Sequence, residues 1–252
     1  TILLDLPMTW DAAAVKAGYR KVDFNAEQPS RFGIMPRFGT QEDIRWFEAP
    51  PCYIYHTINA WEETNALGQC VVHMTACRID NPIPTCRHSE EPHIPRLTFL
   101  RLHPFLTRWS FNLATGAMTE EKLDDVATEF PRMNDDYLAR PSRYGYHPRI
   151  AKEPTLLFDG FIKYDLQSGK SHHHSWGPDC VGGETVFVPR DGGGDEDDGW
   201  VVTFVTDRRE AASYLDIVDA RNPGHGPVAR VEMPRRVPFG FHSHWVPGTA
   251  LP

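Results

Sequence analysis

Hydrophobic positions along this chain fall in short runs rather than in long helical stripes. Proline (22) and glycine (19) punctuate the 252 residues every several positions, and the segments between them are rich in β-formers. Cys52 to Tyr55, Cys70 to Ala76, Leu97 to Leu102, Thr185 to Val188 and Trp200 to Thr206 predict strands. Two stretches read as short helices: Asp11 to Ala17, with Asp11 in capping position, and Thr119 to Val126. Many short strands between turn signals predict an all-β chain, a sandwich, barrel or propeller, with short helices in its loops.

An internal repeat favours the propeller. Trp109 to Gly116 reads as a strand, a polar turn and a glycine before a returning strand, and Phe161 to Gly169 repeats that design. Tyr214 to Ala220 starts a third copy with a longer turn through Asn222-Pro223-Gly224. Strand, Asx-type turn, glycine and returning strand make a blade hairpin, although unrelated hairpins of another antiparallel fold share the pattern. Arg190 to Gly199 reads as an acidic, solvated and flexible loop, with calcium binding as the alternative that its irregular carboxylate spacing disfavours.

Composition narrows the function classes. Apolar content (40%) and charge (24%) are those of an ordinary soluble domain. No apolar run has bilayer-crossing length, and Thr1 opens no signal-peptide pattern. A net charge of −8 without a basic stripe argues against nucleic acid as a partner. Five cysteines (Cys52, Cys70, Cys77, Cys86, Cys180) without CxxC spacing fit neither a disulfide framework nor a zinc knuckle, so a cytoplasmic location is expected. The chain opens at Thr1 without an initiator Met, in what reads as the middle of a protein.

Candidate chemistry gathers around a few imidazoles and carboxylates. His56 follows the β-prone run Cys52–Tyr55, and an imidazole at a strand end is placed to bind a metal as well as to serve the core. His242 sits among Phe239, Gly240, Phe241 and Trp245; in a strand it would share a face with His244, which makes a two-histidine chelate an alternative. Glu129 and Glu184 lie beside apolar segments, where an unpaired carboxylate is costly. Each either accepts a proton from a ligand imidazole or pairs with an arginine such as Arg132 or Arg190. His172, His173 and His174 alternate faces after a turn and cannot converge on one ion, while His147 and His225 read as turn or strand-end residues.

Taken in order, several motifs resemble the carotenoid cleavage oxygenases. They are Arg31-Phe32-Gly33-Ile34-Met35-Pro36-Arg37, Trp46-Phe47-Glu48, Tyr55 to Glu63, Glu129 to Asn134, Gly183 to Arg190, Glu196-Asp197-Asp198-Gly199 and Gly240-Phe241-His242. The branch cleaving lignostilbene and resveratrol is the nearer resemblance. It implies a seven-bladed β-propeller around one non-haem Fe(II) held by four histidines, of which His56 and His242 match the third and fourth. Glu129 and Glu184 match two of three glutamates that orient the ligand imidazoles. Ser243 stands where many members have glycine.

The implied reaction inserts O2 across the C=C bond of a stilbene-type phenol to give two aromatic aldehydes. The alternatives are an apocarotenoid substrate, a catalytically inactive propeller that binds ligands, and isomerase chemistry on a retinoid ester. The family is about twice this long, so the chain corresponds to its C-terminal half. The other two histidines, a glutamate and the Tyr and Lys that engage a phenol are expected in the N-terminal half, which the activity requires. The expected partners are a small aromatic or isoprenoid substrate, O2 and a second copy in a homodimer, with no stable membrane insertion.

Overall fold

Antiparallel strands supply nearly all the regular structure in the computed structural model, which describes residues 1–18, 22–82, 102–153 and 155–248. The predicted strand Leu97 to Leu102 lies outside the described residues except for its last position. The chain divides into two compact units, Thr1–Asp125 and Val126–Pro252.

In the first unit, β1 (Ile2–Asp5), β4 (Ser30–Ile34) and β5 (Arg45–Ala49) form one sheet, and β2 (Met8–Trp10) pairs with β3 (Val22–Phe24). Between β2 and β3 runs α1 (Ala12–Lys16), where the Asp11 carboxylate caps the Ala14 N–H as expected. A four-stranded meander follows: β6 (Tyr53–Thr64), β7 (Cys70–Ile79), β8 (Phe105–Asn112) and β9 (Met118–Lys122), in that spatial order. Phe32, Phe47, Trp109 and Phe111 interlock as tilted rings at the centre of its core.

The helix expected over Thr119 to Val126 does not form: residues 119–122 are strand and 123–126 are irregular. Met118–Lys122 pairs along β8, Glu120 accepts a 2.7 Å hydrogen bond from the Trp109 indole, and Lys122 lies 3.7 Å over the Phe105 ring. Helix-forming Glu, Lys and Leu misdirect the local reading, and cross-strand partners overrule them. The charges suit the position, because β9 is an edge strand.

The second unit holds β10 (Tyr144–Ile150), β11 (Phe158–Asp165), β12 (Lys170–Ser175), β13 (Cys180–Gly182), β14 (Val186–Pro189), β15 (Gly199–Asp207), β16 (Ala212–Asp219) and β17 (Pro227–Glu232). They join one sheet, with β12 branching onto β11 and β14 onto β15. Tyr146, Phe161, Trp176, Phe187 and the valines 201, 205 and 218 fill its core.

The repeated hairpin is real and more frequent than the three copies in the sequence pattern. Asn65, Asn112, Asp165 and Asp207 each accept two backbone N–H bonds from residues two to four positions on. Each turn then passes through a left-handed residue: Gly68, Gly116, Gly169 and Ala211. The third predicted copy is the longer turn from Asp219, which caps the Arg221 N–H and ends at left-handed Gly226.

The acidic segment after β14 is tied down rather than loose. Asp198 pairs with Arg190 at 2.9 Å, Asp195 with Arg221 at 2.7 Å and Asp197 with the buried Lys163 at 2.6 Å. Glu196 accepts the N–H groups of Arg143 and Tyr144. Arginine and lysine side chains and backbone N–H groups thus engage the carboxylates of this segment.

Candidate active site

His56 lies inside a long strand, not at the end of a short one. Between the pairs Ile54–Arg78 and Thr57–Ala76, two residues of β6 (Tyr55 and His56) face one of β7 (Cys77), which is a β-bulge. A second extra residue, Ile58, enters between the pairs Thr57–Ala76 and Asn59–Thr75. Side-chain alternation breaks there, so consecutive Ile58 and Asn59 are both buried. The half-buried His56 ring is thus presented by a strand that is bulged at the histidine and again two residues on, with the ladder intact on both flanks.

The second unit builds its candidate residues from three separate segments. Residues 128–132 run beside β10: Thr128 bridges Arg149, the Glu129 N–H donates to Pro148 at 3.1 Å, and Arg132 exchanges backbone bonds with Tyr146. Phe130 interrupts the ladder with φ 51°, and its N–H donates to the Glu129 carboxylate, which is wholly buried. Glu184 sits in the short link between β13 and β14. Gly183 N–H bonds Phe204 at 2.9 Å on one side and the Thr185 hydroxyl bonds Tyr146 at 3.1 Å on the other.

The third segment carries His242. Residues 241–247 form no strand, so the face shared with His244 does not arise. His244 lines a cavity of about 180 Å³ with Arg132, Phe187 and Trp245, whereas His242 turns to Glu184. His242 has φ 66°, a left-handed backbone that disfavours a non-glycine residue by about 1 kcal/mol.

Side-chain and backbone contacts hold that conformation. Glu184 Oε1 stands 3.7 Å from His242 Nδ1, and its Oε2 accepts the Ser243 N–H. Arg132 donates to the Ser243 carbonyl and lies 3.9 Å from the same Glu184 oxygen. Phe241 stacks on Phe130 at 4.7 Å, and the His242 ring is 5.7 Å from Phe130. Glu184 thus lies near both an imidazole and an arginine, at 3.7 and 3.9 Å, while its hydrogen bond goes to the Ser243 N–H. Ser243 is engaged through its backbone, so its departure from glycine leaves these contacts intact. Nδ1 of His242 faces the buried Glu184 carboxylate, so Nε2 points away from it, an orientation that suits a ligand imidazole. Among the described residues no three His, Cys, Asp or Glu side chains already form a metal-sized cluster.

The other histidines divide cleanly. His172 and His173 are exposed on β12, while His174 is buried with Nδ1 on the Pro223 carbonyl at 2.7 Å, a structural role as expected. His147 was misplaced by the sequence reading. It sits in the middle of β10, completely buried and edge-on to Tyr164 at 4.9 Å, and among the described residues neither ring nitrogen has a hydrogen-bond partner. Burial pushes its pKa down to about 3. Gly145 makes the space: a Cβ there would come within 2.7 Å of the His147 ring. The adjacent Pro148 suggested a turn, but its carbonyl is used by Glu129 and the strand continues through it.

The retinal pigment epithelial membrane protein (RPE65) family model matches residues 1–247. The chain belongs to the carotenoid cleavage oxygenase family. A carotenoid 9,10(9′,10′)-cleavage dioxygenase of Crocus sativus is 36% identical over 266 residues, covering 98% of this chain and 46% of that protein. The lignostilbene dioxygenase of Pseudomonas brassicacearum superposes with TM-score 0.82 at 28% identity, over 98% of this chain and 53% of that one. A cobalt-substituted Synechocystis apocarotenoid oxygenase gives 0.82 at 24% identity, over 96% and 50%. The mostly-β fold with little helix matches the family's propeller fold, and a member has been solved with cobalt substituted for its metal. The chain spans about half the length of the curated relatives it matches.

Proposed function

We propose that the full-length protein is a non-haem Fe(II) oxygenase cleaving a conjugated C=C bond, with His56 and His242 as two of its histidine ligands. One observation carries this reading: the buried carboxylate of Glu184 faces Nδ1 of His242 in a chain of this family. Glu129, buried beside Phe130, is the second carboxylate assigned to orienting ligand imidazoles. Iron, when bound by imidazoles with positions left open, supplies the activation of O2. The balance is one O2 and one C=C bond giving two carbonyl groups.

This chain's residues would orient donors and keep them in one geometry. Glu184 accepts from the Ser243 N–H and faces the His242 ring at 3.7 Å, while His56 is carried at the β6 bulge. For the substrate we favour a stilbene-type phenol such as lignostilbene or resveratrol, cleaved to two aromatic aldehydes. The likeness to the Pseudomonas lignostilbene dioxygenase supports it. The Crocus relative supports a carotenoid or apocarotenoid as the second reading. Incubating the iron-loaded full-length protein with resveratrol and, separately, with an apocarotenal should give 4-hydroxybenzaldehyde from the first. Cleavage of the apocarotenal alone selects the second reading. A folded protein that binds no iron and cleaves neither is a binding module, and the oxygenase reading fails.

A further inference from the structure

We infer that Arg132 is a positioning residue for the metal-binding imidazole of His242, acting through the Ser243 peptide. The inference rests on the reading of His242 as a metal ligand. Its geometry has three parts. First, the Arg132 main chain is fixed to the sheet, because it exchanges backbone bonds with Tyr146 of β10 at 3.0 and 2.7 Å. Second, its guanidinium donates to the Ser243 carbonyl, while the N–H of the same residue donates to Glu184. Ser243 is therefore gripped at both polar backbone atoms, one by a cation and one by an anion. Third, that anion and that cation lie 3.9 Å apart, so each supports the other's charge.

The grip has a local purpose. His242 is the residue immediately before, in the left-handed region with no strand ladder to hold it. Any shift of the 242–243 backbone out of the clamp would carry the imidazole away from Glu184. An Arg–carboxylate contact in this setting would ordinarily be read as a structural ion pair. The difference is that the arginine bonds the ligand segment itself. A lysine at this position would keep the charge but lacks the planar guanidinium whose Nη2 faces both the Ser243 carbonyl and Glu184.

Co2+ binding to the full-length protein tests this independently of turnover. Arg132→Ala is expected to weaken Co2+ about tenfold or more, as outer-shell partners of ligand histidines do, and to alter the visible ligand-field spectrum. Arg132→Lys should recover part of the loss. Ser243→Gly should stay within about twofold of wild type, since the contacts run through backbone atoms. In a His242→Ala background, Arg132→Ala should add no further loss, because two residues acting on one ligand are not additive. Wild-type affinity and spectrum in Arg132→Ala overturn the inference, as do fully additive losses. If Arg132→Ala fails to fold, Arg132→Lys decides: weakened Co2+ with a shifted spectrum supports the role, and wild-type behaviour overturns it. A wild-type protein that takes no Co2+ refutes the ligand reading itself, a result distinct from these.

Discussion

His56 and His242 are presented by opposite means. His56 rides on a twelve-residue strand whose ladder is intact on both flanks and bulged at the histidine itself. His242 has no strand under it and sits in left-handed backbone, held by Glu184 and Arg132 from distant parts of the chain. In the first case a strand ladder carries the ring. In the second, charged side chains do what a ladder would otherwise do. The same donor type therefore has different points of failure in the two units.

The largest effects come from removing the rings. His56→Ala and His242→Ala in the full-length protein should each abolish iron retention and turnover, a loss of at least about a hundredfold in metal affinity, or about 2.7 kcal/mol. Atomic absorption after dialysis reads it. Full activity in either variant would remove that histidine from the ligand set. Next comes Glu184→Gln, which keeps shape and removes charge. It should weaken metal roughly tenfold to a hundredfold. Should His56 and His242 prove equally dependent on Glu184, the contrast between ladder and clamp collapses.

Acid should separate the units in a different way. His147 is buried neutral in the second unit, with its pKa lowered to about 3 from an ordinary 6.5. Below pH 6.5 the unfolded chain takes up a proton that the folded chain refuses. Stability from this group is thus complete above that pH and drains as pH falls toward 3. The slope approaches about 1.4 kcal/mol per pH unit. Urea titrations at pH 7, 5.5 and 4.5 should show wild type losing more stability than His147→Leu over the same range. Parallel pH profiles for the two would mean that the buried ring is not the acid-sensitive group.

What the sequence disclosed follows the range of the interactions. The Asx hairpins were legible because Asn112 or Asp165 and its left-handed glycine lie within five residues and satisfy each other locally. The candidate site residues come from ordered motifs, and the structure places Glu184 beside His242. The clamp was not, because it joins residues 132, 184 and 243, and nothing in any one segment announces the others. Met118–Lys122 was misread for the same reason: its strand character resides in Trp109 and Phe105 across the ladder. His56 was placed near the correct strand but at its end, since a bulge depends on the partner's register and β6 alone does not reveal one.

The smallest expected effect probes how far local turn chemistry carries the fold. Of the four Asx hairpins, three end on a left-handed glycine and one on Ala211, with φ 54°. The Asp207 carboxylate there still accepts the Arg209 and Glu210 N–H groups at 2.8 and 3.1 Å, so the turn is formed despite its terminal residue. A Cβ in this region is disfavoured by about 1 kcal/mol, partly offset by the greater freedom glycine brings to the unfolded chain. Ala211→Gly should therefore stabilise by roughly 0.5 kcal/mol, and Gly169→Ala, the reverse change in the equivalent turn, should destabilise by a similar amount. Chemical denaturation with unchanged m-values would read both. Opposite signs for the two substitutions are the essential result. If both destabilise, packing around each turn outweighs its backbone, and the hairpins are not the interchangeable units that their hydrogen bonds describe.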